Sequence, residues 1–115
     1  MTPHALIIRF DDYAKRFQAE GRADLQPLVL LADHLDGVLT ADGLGELDGY
    51  ELDDEGGVGT IYLYGENART MYDAVSGALE ASPITQGGMA FLYFGDVTDE
   101  ATQVDEIEIG TTSST

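Results

Sequence analysis

The fold is decided by the stretch ELDGYELDDEGGVGTIYLY, residues 46–64. Its first seven and its last seven residues predict two strands, and the second of these is rich in β-branched and aromatic residues. The five residues between them, DDEGG, are turn formers, so the stretch predicts a β-hairpin. Tyr62 and Tyr64 share one face of the second strand, because successive side chains of a strand point to opposite faces. Ile61 and Leu63 take the other face.

The residues before the hairpin predict one strand and one helix. The short apolar segment 5–10 predicts a first strand, and the polar segment 11–23 predicts a loop or a short irregular helix. Asp24 is a candidate N-cap for a helix that tolerates Pro27 in its first turn and ends near Gly43 and Gly45. Apolar residues at intervals of three and four form its predicted buried face: Leu25, Leu28, Ala32, Leu35 and Leu39, broadened by Val29, Leu31 and Val38.

The residues after the hairpin predict a second helix and two more strands. Asn67 is expected to cap a helix that runs to about Ala81, and the pair Ser82-Pro83 ends it because proline disfavours helical conformation in the residue before it. Residues 89–94 predict a core strand, and residues 104–109 predict an edge strand whose acids discourage aggregation. The apolar face of this helix consists of Met71, Tyr72, Val75, Ala78 and Leu79.

This order of elements predicts an α+β fold. We expect a ferredoxin-like β-α-β-β-α-β arrangement, an antiparallel sheet with two helices on one face, plus an extra C-terminal edge strand. An α+β layer with another strand order is the alternative. Residues 1–110 are expected to form one domain, and residues 111–115 a disordered tail.

The charge is the most informative feature of the composition. The chain has 22 Asp plus Glu against 5 Lys plus Arg in 115 residues, a formal net charge of -17. Such a charge repels nucleic acid phosphates and anionic membranes, so neither is expected as a partner. It would attract a cationic protein partner, but it also suits a salt-adapted cytoplasm or a merely solubilising surface.

Several classes of chemistry find no support in the sequence. Without cysteine, disulfides, thiolate metal sites and cysteine nucleophiles are excluded. No serine carries the motif of a hydrolase nucleophile, and the seven acidic residues within 42–55 lack the spacing of a calcium-binding loop, so we predict no enzyme, no metal and no cofactor. His4 is expected near a frayed terminus, and no apolar run predicts a membrane helix or a signal peptide. A cytoplasmic location is the default.

The predicted function is that of a non-enzymatic acidic binding protein, which neutralises or regulates a cationic protein such as a toxin or a nucleic-acid-binding protein. An immunity-type inhibitor and a DNA-charge mimic both fit. Carboxylates would steer association and tyrosines would anchor it. The candidate partner-binding residues are Asp42, Glu46, Asp48, Tyr50, Glu51, Asp53, Asp54, Glu55, Tyr62 and Tyr64. A housekeeping domain of a salt-adapted cytoplasm, a small-molecule sensor that uses the open sheet face, and a homodimer remain alternatives.

Four short segments carry a resemblance to a family. They are ELDGYE (46–51), YLYG (62–65), LYFG (92–95), and the segment 74–83 with Ala74, Val75, Leu79, Ala81, Ser82 and Pro83. With them, the chain resembles a family of small bacterial proteins without assigned activity, over roughly residues 5–109. The resemblance supports the order of strands and helices. It implies no chemistry, because its landmarks contain no reactive group.

Overall fold

The computed structural model describes residues 3–19, 21–53 and 57–109. Asp54, Glu55 and the predicted tail lie outside these residues. The described elements, in chain order, are β1 (His4–Phe10), α1 (Tyr13–Arg16), β2 (Gln18–Ala19), β3 (Arg22–Ala23), α2 (Gln26–Ala41), β4 (Gly45–Leu52), β5 (Gly59–Gly65), α3 (Ala68–Ala81), β6 (Met89–Tyr93) and β7 (Val104–Glu108).

Five of the strands form one antiparallel sheet in the order β4-β5-β1-β6-β7, so the fold is α+β. The predicted hairpin is confirmed, because β4 pairs antiparallel with β5. The last strand is confirmed as an edge strand, since β7 pairs with β6 and ends the sheet. The first strand, β1, lies in the middle, where β5 and β6 both pair with it. Residues distant in sequence therefore meet across β1.

The hydrophobic core lies between one face of this sheet and the helices α2 and α3. The alternation within β1 puts Leu6, Ile8 and Phe10 into this core, as predicted. From the helices come the buried residues Leu28, Leu31, Leu35 and Leu39 of α2 and Ala68, Met71, Tyr72, Val75 and Leu79 of α3. The helical spacing in the sequence thus identifies most of the buried face of each helix.

The start of α2 differs from the prediction by one residue. Leu25, and not Asp24, is the N-cap, and its own side chain is 50% exposed instead of lying on the buried face. Asp24 still serves the helix, because its Oδ1 accepts a hydrogen bond from the backbone N–H of Gln26 at 3.1 Å. Pro27 has no N–H, and the N–H of Leu28 donates to the hydroxyl of Tyr13 at 3.2 Å. The first three helical residues therefore leave no N–H unpaired, since Gln26 and Leu28 have acceptors and Pro27 has no N–H.

Residues 11–23 contain a hairpin that the sequence did not predict. After the single turn of α1, the two-residue strands β2 and β3 pair with each other, and Gly21 between them has φ +82°. Tyr13 fastens this segment to the core: its side chain is fully buried, and its hydroxyl donates to the carbonyl of Asp24. Strands of two residues are too short to give an alternating pattern, so periodicity could not reveal them.

The start of α3 is as predicted, and it has a second partner. Asn67 is the N-cap, and its Oδ1 accepts from the N–H of Thr70 at 3.0 Å. His4, which was expected near a frayed terminus, is the first residue of β1. It pairs with Gly65 in the sheet, and its Nδ1 accepts from the N–H of Ala68 at 3.0 Å. One imidazole therefore joins the first residue of β1 to the first turn of α3.

Candidate functional site

The second face of the five-stranded sheet carries aromatic side chains and no helix of the described residues. On β5, Thr60, Tyr62 and Tyr64 point to this face and are half-buried, whereas Ile61 and Leu63 point into the core. The predicted separation of the tyrosines from the aliphatic residues is confirmed. We call this second face of the sheet, to which β1, β4, β5, β6 and β7 all contribute side chains, the open face.

The central strands β1 and β6 extend this apolar surface. Ile7 of β1 pairs with Tyr62 on one side and with Phe91 on the other. Ala5 likewise lies between Tyr64 and Tyr93, and it is fully buried although it is on the open face. Directly paired residues have Cβ atoms about 5 Å apart, so the four aromatic rings flank β1 in two pairs.

Glutamates border the open face on both edge strands. In β4, Glu46 pairs with Tyr64 and Glu51 pairs with Thr60. In β7, Glu106 pairs with Phe91, and Glu108 pairs with Met89, which is also half-buried. All four glutamates are exposed. The open face therefore has an apolar, aromatic centre between two rows of carboxylates.

One glutamate is hydrogen-bonded to the aromatic centre. The hydroxyl of Tyr62 donates to Oε1 of Glu51 at 3.0 Å. Partial burial, followed by the hydrogen bond to the Glu51 carboxylate, raises the pKa of Tyr62 above its ordinary value. Tyr62 therefore stays neutral at physiological pH and presents both an apolar ring and a fixed hydroxyl, a combination common in protein interfaces.

A single cation interrupts the acidic pattern. Arg9 lies on the open face between Thr60 and Met89, and its side chain is exposed. Within the described residues the one ion pair joins Arg69 to Asp73 on α3, so Arg9 has no carboxylate within 4 Å there. Arg9 contributes to a shallow concavity of about 490 Å³, which Glu51, Asp53, Tyr62 and Phe91 also line.

The structure brings together only part of the predicted partner-binding set. Glu46, Glu51, Tyr62 and Tyr64 lie on the open face, and Asp53 lines its concavity. The carboxylate of Asp53 also has a structural role, since Oδ1 accepts from the N–H of Gly57 at 2.7 Å in the hairpin turn.

Of the other predicted residues, Tyr50 and Asp42 lie elsewhere, Asp48 is the unpaired residue of a bulge in β4, and two lie outside the described residues. Tyr50 pairs with Ile61 and so belongs to the helix-covered side, at whose edge it is 39% exposed. The cause is a β-bulge at Asp48, which adds one residue to β4 and reverses the faces that follow it. Asp42 is the exposed C-cap of α2. The structure does not describe Asp54 and Glu55.

Several members of the open face are absent from the predicted partner-binding set. Ile7, Arg9, Phe91 and Tyr93 come from β1 and β6, whose alternation predicts two faces but not which strands are neighbours. Glu106 was predicted only as a protector of an edge strand. The sequence predicts a strand over residues 89–94, which puts Phe91 and Tyr93 on one face, whereas the order of the strands required the tertiary structure.

Comparisons with known proteins identify no relative: the chain matches no protein-family model, and it has no significant match among the curated proteins or the solved structures. The resemblance to small bacterial proteins therefore stays a prediction.

The described residues contain neither a candidate metal site nor a helix that could span a membrane. Residues 3–19, 21–53 and 57–109 contain no group of three His, Asp or Glu side chains that could hold a metal ion. In the same ranges no helix has the length and apolar character that crossing a membrane requires. A cytoplasmic location stays a prediction, which cell fractionation would test.

Proposed function

We propose that this chain is a non-enzymatic binding protein, which neutralises or regulates a cationic protein partner that docks on the open face. The observation that carries the proposal is the composition of this face. Four aromatic side chains at its centre, Tyr62, Tyr64, Phe91 and Tyr93, lie between rows of exposed glutamates on the two edge strands.

The charge of the edges supports a cationic partner. Glu46 and Glu51 on one edge and Glu106 and Glu108 on the other would meet basic residues at the rim of the partner. The net charge of -17 would accelerate the encounter, because long-range attraction raises association rates. The aromatic centre would then supply most of the affinity, since buried tyrosine and other aromatic anchors dominate interface energetics.

Arg9 favours an immunity-type inhibitor over a DNA-charge mimic. A mimic of DNA needs carboxylates spaced like phosphates, whereas the middle of the open face is apolar and carries one arginine. A partner that fits would present a basic rim, an apolar centre and one acidic group opposite Arg9. This pattern is more specific than the attraction between two opposite net charges.

The fold assignment that we propose is the ferredoxin-like arrangement with an insertion. Its four core strands would be β1, β4, β5 and β6, with α2 and α3 as the two helices. The order β4-β5-β1-β6 and the antiparallel pairings support this assignment. The segment with α1, β2 and β3 is the insertion, and β7 is the extra edge strand.

The decisive experiment measures the binding of a captured cationic partner to two double variants of matched size. Tyr62→Ser with Phe91→Ser removes two aromatic anchors from the open face. Leu25→Ser with Leu30→Ser removes two apolar side chains that are 50% and 58% exposed, on the other side of the sheet. We expect the first pair to weaken binding by about tenfold or more per residue and the second to leave it within about twofold. Circular dichroism controls for folding.

The dependence on salt separates this proposal from its alternatives. The association rate of the parent protein should fall by about tenfold or more between about 50 mM and about 300 mM salt, since screening shortens the range of attraction. Equal effects of the two double variants would contradict the proposal. If folding requires molar salt and no partner is captured, the result would favour the salt-adapted domain. If light scattering detects a dimer, and the double variant Tyr62→Ser with Phe91→Ser is monomeric, the result would favour self-association.

A further inference from the structure

A second cavity lies where α2 ends, β4 begins and β5 ends. Its volume is about 670 Å³, within the range of sites that bind small ligands. The residues that line it are Pro3, Thr40, Gly43, Leu44, Gly45, Glu46, Tyr64, Gly65 and Glu66. Two of them, Glu46 and Tyr64, also belong to the open face, so the cavity continues that surface around the end of the sheet.

Glycines line part of this cavity because the packing behind it leaves no room for side chains. Gly45 pairs with Gly65 in the sheet. A Cβ atom on Gly45 would come within 2.5 Å of the carbonyl oxygen of Tyr64 and within 2.7 Å of Sδ of Met71. Gly43 has φ +66°, as the residue after a helix commonly does. The concave shape is therefore a consequence of the fold, and it leaves backbone exposed between the side chains.

The charged side chains among the described lining residues of the cavity have one sign. They are those of Glu46 and Glu66, and both residues are exposed. The C-terminus of α2 adds partial negative charge, and no basic residue lies in the last turn of this helix. Pro3, Leu44 and the ring of Tyr64 supply apolar contact surface. Such a cavity fits a group with an apolar stem and a cationic head.

We propose that this cavity receives an arginine side chain of the cationic partner, an inference that rests on the proposed function. The arginine stem would lie against the apolar lining, and its guanidinium would pair with Glu46 and Glu66. Arginine fits better than lysine, because a planar guanidinium can stack on the ring of Tyr64 while it hydrogen-bonds to carboxylates. The volume exceeds that of one side chain, so the flanking backbone of the partner also fits.

The tripeptide Gly-Arg-Gly is the probe, and the same tripeptide with citrulline in place of arginine is its uncharged control. Titrations followed by ¹⁵N–¹H NMR should shift the backbone amide signals of Gly43, Gly45 and Gly65, which lie at the cavity. We expect the citrulline peptide to bind about tenfold more weakly. That factor corresponds to the loss of two partly exposed ion pairs, each contributing about threefold.

Matched variants test whether the two carboxylates are responsible. Glu46→Gln with Glu66→Gln removes both from the cavity, whereas Glu80→Gln with Glu100→Gln removes the same charge from exposed positions outside the lining. The first pair should weaken binding of Gly-Arg-Gly by about tenfold and the second by less than about twofold. Equal weakening by both pairs, or shifts that map outside the cavity, would overturn the inference.

The failure of this inference is distinguishable from failure of the proposed function. Glu66→Gln alone makes the distinction, because Glu66 lines the cavity and is not one of the open-face residues. If the captured partner binds Glu66→Gln as tightly as the parent protein but loses affinity for Tyr62→Ser with Phe91→Ser, the arginine cavity is wrong and the open face stands. If neither variant protein binds the partner more weakly than the parent, both proposals are wrong.

Discussion

The buried hydroxyl of Tyr13 should be worth about 2 kcal/mol of folding free energy. It accepts from the N–H of Leu28 at 3.2 Å and donates to the carbonyl of Asp24, and Tyr13 and Leu28 are both fully buried. Tyr13→Phe keeps the ring, which packs 5.0 Å from the ring of Phe17, and deletes the hydroxyl. A buried donor left without a partner costs about 1–3 kcal/mol, and the less buried carbonyl of Asp24 costs less because water can reach it.

Urea unfolding at neutral pH measures this loss, and a fall of roughly 8 °C in Tm should accompany it. Tyr72→Phe is the matched control. Tyr72 is 7% exposed, and its hydroxyl makes no hydrogen bond within the described residues, so its removal should change stability by less than about 0.5 kcal/mol. A Tyr13→Phe protein as stable as the parent, or a Tyr72→Phe protein that loses as much, would refute the reasoning.

Alkaline pH supplies a second test of the same group. Burial raises the pKa of Tyr13, and its hydrogen bond with Leu28 offsets this only in part. Because the pKa is higher in the folded state, the contribution of Tyr13 is complete below the unfolded value of about 10 and is lost as the pH rises through the folded value. The stability difference between the parent and Tyr13→Phe should therefore be constant from neutral pH to about 9 and should shrink above about 10.

Two further predictions concern the sheet end and the loop before β7. Gly65→Ala should destabilise the protein by about 2 kcal/mol, because the new Cβ would clash with the carbonyl of Leu44 and Sδ of Met71. Gly77→Ala is the control: this residue has open space around it on α3, so the substitution should stabilise the protein by about 0.5 kcal/mol. Urea unfolding midpoints measure both effects, and equal effects would contradict the predicted clash at Gly65. Hydrogen bonds from the side chain and backbone of Thr98 lower the pKa of Asp96, so its contribution is present above the unfolded value of about 4 and is lost as the pH falls through the folded value. Asp96→Ala should therefore be less stable than the parent at pH 7, by a margin that narrows below about pH 4, and a margin independent of pH would contradict this assignment.

Local patterns in the sequence were sufficient for the elements of the main sheet and for both long helices. Alternation in residues 58–64 separates Tyr62 from Ile61, and Asn67 marks the start of α3, because these signals depend on neighbours within one turn or one strand. The hairpin of β2 and β3 lacks such a signal. Its strands have two residues each, which is too short for an alternating pattern. The segment is stabilised instead by tertiary contacts of Tyr13.

The candidate site was only partly predictable, because its members are distant in sequence. One inserted residue at Asp48 sends Tyr50 to the helix-covered side, and a bulge of this kind has no reliable local signature.

By itself the sequence determined the acidity, the identity of the main elements and the two faces of the strands β1, β5 and β6, but not those of β4 beyond its bulge. Only the tertiary structure decided that β1 lies between β5 and β6, which puts Tyr62 and Phe91 on either side of Ile7 and puts Arg9 on the same face of the sheet. The physical reason is that side-chain alternation follows from local backbone geometry, whereas strand order depends on how the helices cover one face of the whole sheet.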